Sequence, residues 1–139
     1  MKFFIHADGG SRGNPGPAGA GAMLRDELGN SVASVSQFLG TRTNNFAEYE
    51  AVILGFGALA KIVPATKQKN TDVVVKMDSE LVVRQMRGEY KIKNPTMKEQ
   101  SIRLKKIMAT FGTVSFTHVP REENSDADAL ANEAMDRGI

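Results

Sequence analysis

Thr41–Pro64, TRTNNFAEYEAVILGFGALAKIVP, is the stretch whose reading decides how this chain folds. From Asn45 to Val63 apolar residues fall almost all round a helical wheel (Phe46, Ala51, Val52, Leu54, Phe56, Leu59, Ile62), and Pro64 closes the run. A helix with so little polar surface packs on a sheet. Glu48 is the exception within it: it shares a face with Ala51, Val52 and Gly55, the side that should meet the sheet, where a carboxylate without a partner is costly.

Working outward, Lys2–Ala7 reads as a strand that ends at Asp8, followed by GGSRGNPGPAG, a Gly- and Pro-rich segment expected to be a loop. Ala20–Arg25 and Ser31–Phe38 are two further strands joined by a hairpin turn, so the first three strands form an antiparallel meander. Beyond the long helix, a polar linker (Ala65–Asp72) leads into Val73–Met77, an uninterrupted apolar strand that ends at Asp78. Helices are expected at Ser79–Met86 and Thr96–Thr110 around a loop at Gly88–Pro95. A last strand follows at Val114–Val119, and after an acidic loop a terminal helix runs from about Ser125 to Asp136.

The order βββ, α, β, αα, β, α predicts a mixed α/β fold with a five-stranded sheet in the order 3-2-1-4-5 and helices on both faces. The long helix is the right-handed crossover that makes strand four parallel to strand one. Asp8 and Asp78 then leave neighbouring strands at the same edge of the sheet, where α/β sheets place their sites. Read alone, each is equally a loop-initiating Asp that caps the next segment. Together they repel, and a cation relieves the repulsion. Asp128 is a further candidate, although Ser125–Asp128 also matches a capping box. Oxygen-only ligands select magnesium or manganese over zinc, and two such ions about 3.5–4 Å apart suit an in-line phosphoryl displacement.

Composition narrows the partners. At 139 residues the chain has the length of one domain, and residues 1–139 are read as a single one. It has no Cys, which excludes disulfides and thiolate metal sites. No apolar run is long enough for a signal peptide or a membrane span, so a cytoplasmic protein without membrane association is expected. Net charge is +2, but Arg84–Lys106 carries eight basic residues against two acids, a local excess of +6. Such a stripe is either a solvated helix face or an attractor of phosphates.

Four segments together resemble a type 1 ribonuclease H over nearly the whole chain: DGGSRGNPGPAG (8–19), TNNFAEYEA (43–51), MDSELVV (77–83) and PREENSDADALA (120–131). The resemblance implies that Asp8, Glu48, Asp78 and Asp128 hold two Mg²⁺ ions, with Mn²⁺ a possible substitute. It also implies endonucleolytic cleavage of the RNA strand of an RNA/DNA hybrid, leaving 3′-hydroxyl and 5′-phosphate ends. Gly9, Gly10 and Ser11 would bring backbone close to the RNA, and Asn14, Asn44 and Asn45 would contact the hybrid. Thr43 and Asn94 match a pocket for a DNA phosphate. Amides can donate to and accept from a 2′-hydroxyl, yet Asn14, Asn44 and Asn45 also suit turns and caps. A monomer is expected.

The chain departs from the family pattern at three points. Glu80 stands where many relatives carry Gln. The 50 residues from Asp78 to Asp128 leave no room for the basic protrusion of some relatives. No His lies in the loop before Asp128: His118 is inside a strand, with Arg121 and Glu122 as the neighbouring candidates for a proton-transfer role. Two other readings remain at this point, a catalytically silent nucleic-acid-binding module and a nuclease of the same fold with another substrate. Four acids at matching positions disfavour the first, and asparagines suited to a 2′-hydroxyl disfavour the second.

Overall fold

A computed structural model describes all residues, Met1–Ile139. Strands β1 (Lys2–Ser11), β2 (Gly16–Arg25) and β3 (Ser31–Arg42) form the meander, and helix α1 (Asn44–Ile62) carries the chain across the sheet. A short helix, α2 (Ala65–Gln68), occupies the expected linker before β4 (Asp72–Met77). Helices α3 (Glu80–Met86) and α4 (Pro95–Met108) precede β5 (Val114–His118). A 3₁₀ turn (Arg121–Asn124) then runs into α5 (Ser125–Arg137). The sheet order is β3-β2-β1-β4-β5, with β1/β2 and β2/β3 antiparallel and β1/β4 and β4/β5 parallel.

Alternation along the central strands sorts the two faces. Ile5 and Ala7 of β1 and Ala20, Ala22 and Leu24 of β2 are buried, as are Val73, Val75 and Met77 of β4. They share a core with Tyr49, Val52, Phe56 and Leu59 of α1. The intervening β2 glycines face α5: a Cβ on Gly19 would lie 2.5 Å from the Ala131 carbonyl, and one on Gly21 would lie 2.3 Å from that of Ala127. Burial of this apolar surface is the main driving force for the fold, at roughly 25 cal/mol per Å².

Three expectations are corrected. β1 does not stop at Ala7 but continues through Asp8, Gly9 and Gly10 to Ser11, pairing Asp8 with Gly21 and Ser11 with Ala18. Gly9 and Gly10, which read as loop, are strand residues, and at Gly9 the neighbouring helix excludes a side chain. Only Arg12–Pro15 is left for the turn, which contains a cis Asn14–Pro15 bond, and Arg12 N–H donates to the Pro17 carbonyl at 2.9 Å. The second correction is at α5. The capping box at Ser125–Asp128 does not form, because the 3₁₀ turn feeds the helix directly and no side chain caps its start. β3 also runs past Phe38 to Arg42, delivering Thr43 to the start of α1.

Candidate active site

The parallel pairing of β1 and β4 matches Lys2 with Asp72 and His6 with Lys76, and the same offset carries Asp8 to Asp78. Because β4 ends at Met77, the Asp78 carboxylate stands at the open end of its strand, beside Asp8. The first turn of α5 adds Asp128. These three acids line one cavity of about 250 Å³, together with Gly10, Ser11 and Asn44.

Glu48 lies behind that cavity in the second turn of α1. It is only 8% exposed, and its Oε2 is buried without a hydrogen-bond partner. Gly9 makes this approach possible. A Cβ there would lie 2.1 Å from the Ala47 carbonyl oxygen and 2.6 Å from Glu48 N, so any other residue would push α1 away from β1.

Confinement shows in the acid strengths. Burial, reinforced by the charge of Asp78 and then by Asp128 and Glu48, pushes the Asp8 carboxyl up to about 8. Glu48 rises to about 7, mostly through burial, with the Ser79 hydroxyl pulling it down and Asp78 pushing it up. Burial and mutual repulsion thus favour the protonated form at these two positions, and a nearby cation would reverse that preference. An oxygen-only donor set, an orphaned Glu48 oxygen and an Asp8 proton that a cation would displace all fit a hard divalent ion. As the side chains lie, no three acids stand at ligand spacing.

The polar residues around the acids form a chain of hydrogen bonds. Ser11 N donates to Asn44 Oδ1 at 2.9 Å, and Asn44 N donates to Asn14 Oδ1 at 3.1 Å, tying the β1–β2 turn to the start of α1. Asn14 is thus a brace outside the cavity. Thr43 caps α1, its Oγ1 accepting from Phe46 N at 3.2 Å. Asn94 caps α4, its Oδ1 accepting from Thr96 N and Met97 N. Asn45 is half-buried and lies outside the cavity lining.

Of the residues whose role was open, Arg121 lines the cavity and its Nη2 lies 3.5 Å from Asp128 Oδ1. His118 is exposed at the end of β5, opposite Met77 in register, and does not line the cavity. Glu80 points away into an ion pair with Arg84 at 2.8 Å. Asn132 lines the cavity and was missed, although its spacing of four from Asp128 puts both on one face of α5. Arg12 was missed too, and its ion pair with Asp136 at 2.6 Å closes the rim. Buried Asn124 donates from Nδ2 to the Ala7 carbonyl at 2.9 Å, fastening the 3₁₀ turn beside Asp8.

Known proteins bear on this arrangement. A family model described as reverse transcriptase-like matches residues 6–134. A ribonuclease H of Lachnoclostridium phytofermentans is 31% identical over 150 residues, covering 99% of this chain and 94% of its own length. The chain belongs to the ribonuclease H family. A bifunctional protein of Mycobacterium tuberculosis is 43% identical over 137 residues, and this chain spans 36% of its length. Among solved structures, an RNase H1 named LC11, crystallised with an RNA/DNA hybrid, superposes with a TM-score of 0.91 at 46% identity and 97% coverage of both chains. As a ribonuclease H, this chain is compact between Asp78 and Asp128: only Arg87–Asn94 joins α3 to α4. No helix is long and apolar enough to cross a membrane.

Proposed function

We propose that this chain is an endoribonuclease that hydrolyses the RNA strand of RNA/DNA hybrids with two divalent cations, Mg²⁺ or Mn²⁺, held by Asp8, Glu48, Asp78 and Asp128. The observation that carries the reading is the gathering of Asp8, Asp78 and Asp128 on one cavity, with buried Glu48 behind it and Asp8 pushed to about 8. When bound, the cations supply charge neutralisation and activation of the attacking water.

The chain's own residues do the rest. The backbone of Gly10 and Ser11 forms part of the cavity wall beside the acids, where the RNA strand would run. Asn44, braced by Ser11 and Asn14, presents its side chain beside the acids, and Asn45, the next residue, would contact the hybrid outside the cavity. Thr43 and Asn94 cap their helices through one oxygen each and mark two helix N-termini, where a DNA phosphate meets unpaired N–H groups. Water attacks the phosphorus, and the bond to the 3′ oxygen breaks. That oxygen takes a proton to become the 3′-hydroxyl, leaving the 5′-phosphate on the other fragment. Arg121, which lines the cavity, would hold a phosphate oxygen during departure.

Labelled RNA/DNA hybrid, duplex RNA and duplex DNA, each incubated with Mg²⁺, Mn²⁺ or EDTA, test the reading. Expected is metal-dependent cutting of the hybrid's RNA strand, with fragments whose mobility shifts after phosphatase treatment of the new 5′ end. Cutting in EDTA, or equal cutting of all three duplexes, sinks it.

A further inference from the structure

The basic stripe at Arg84–Lys106 is divided by the fold. Arg84 pairs with Glu80 and Glu89, Arg87 with Glu89, and Arg103 with Glu50. Lys91, Lys93, Lys98, Lys105 and Lys106 are exposed and have no acidic partner. The local positive excess therefore survives folding as free ammonium groups.

Two of them belong to a built feature. Lys98, Ile102 and Lys105 recur at helical spacing on one face of α4. With Gln85, Tyr90 and Ile92 they line a groove of about 270 Å³ between α4 and the α3–α4 connection. Its floor is already satisfied: Gln85 Oε1 accepts from the Tyr49 hydroxyl at 2.8 Å, and the Ser101 hydroxyl donates to the Lys98 carbonyl at 2.7 Å. Its rim is not, since Tyr90 is 45% exposed and Ile102 49% exposed. The Arg84 guanidinium lies 5.3 Å from the Tyr90 ring centroid and is itself gripped by Glu80 and Glu89, which steadies the ring.

We propose that this groove is a second nucleic-acid contact that holds an unpaired strand continuing from one end of the hybrid, with Lys98 and Lys105 on its phosphates and Tyr90 and Ile102 against its bases. The inference rests on the proposed function, since it assigns the groove to the flank of the same substrate. A duplex keeps its bases stacked inside and cannot offer them to Tyr90, whereas a single strand exposes a face of each base; a charged groove with an aromatic platform is how such strands are held. The seven steps from Lys98 to Lys105 span about 10 Å of helix axis, and α3, which starts two residues after Asp78 and contributes Gln85 to the groove, has a similar length.

Fluorescence anisotropy of the full chain in EDTA tests this, using one labelled hybrid core either blunt or carrying a single-stranded overhang at one end or the other. Expected is tighter binding of one overhang form, by at least about five-fold, lost in Tyr90→Ala and in Lys98→Gln/Lys105→Gln while blunt-hybrid affinity is retained. The slope of log affinity against log salt for that form should fall by about 1.4 in the double variant, as for two lost single-strand phosphate contacts. Lys61→Gln, an exposed lysine elsewhere, should leave the overhang effect intact. Equal affinity for blunt and overhang forms, or an overhang effect that survives all three groove substitutions, overturns the proposal. So does lysine-dependent binding of a labelled polyglutamate peptide without an overhang effect, which assigns the groove to an acidic protein segment. Failure of the proposed function reads differently: blunt hybrid then goes uncut with Mg²⁺, whatever the anisotropy shows.

Discussion

Asp8 carries most of the tension in this molecule. Its carboxyl titrates near 4 in an unfolded chain and at about 8 in the fold. Between those values the folded state keeps a proton that the unfolded state has lost, so this group's contribution to stability is full below pH 4 and is lost as pH rises through 8. In EDTA the melting temperature should therefore fall from pH 6 to pH 9. Asp8→Asn should remove much of that slope, raise the midpoint at pH 8.5 by a few degrees, and reduce turnover at least a thousand-fold. Calorimetry over pH together with a hybrid-cleavage assay checks both halves. A variant that melts lower than the parent at pH 8.5 would show that the carboxylate is not under strain. Glu48→Gln should behave in the same direction, because burial also raises its carboxyl, to about 7.

At the scale of elements, the junction of β1 with α1 sets the distance between the acids. Gly9→Ala drives a Cβ into the Ala47 carbonyl, and since the obstacle is backbone, the helix must move. The expected loss is on the order of 3 kcal/mol of stability, with a fall in kcat larger than any change in KM, read by urea denaturation and steady-state kinetics. Thr43→Ala removes the cap of α1 and should lower stability by about 1 kcal/mol, with Thr43→Ser restoring it. If Thr43 also meets a DNA phosphate, as proposed, the Ala variant additionally raises KM. Elements of strong periodicity, such as Asn44–Ile62 and Asp72–Met77, were legible from sequence to within a residue or so. Gly9–Ser11 was not, because a glycine excluded of its side chain by a neighbouring helix looks in sequence like a glycine chosen for a turn.

For the whole molecule, the convergence of acids from β1, α1, the end of β4 and α5 predicts coupling between metal and global stability. Mg²⁺ at 100 times its dissociation constant should stabilise the chain by about 2.7 kcal/mol, and Asp8→Asn should abolish most of that gain. Equal Mg²⁺ stabilisation of parent and variant in thermal unfolding would count against the ligand set. The order of elements, the 3-2-1-4-5 sheet and the proximity of Asp8 to Asp78 followed from sequence, because hydrophobic period and crossover handedness are local rules with few global solutions. Tertiary structure alone decided that the buried Glu48 keeps an orphaned oxygen, that Asn14 braces Asn44, and that Asn132 and Arg121 join the cavity. It also decided which basic residues of Arg84–Lys106 are spent in ion pairs and which stay free beside Tyr90. Burial, pairing and the shift of a pKa depend on what distant segments place within a few ångströms, and residue order records that only through the completed packing.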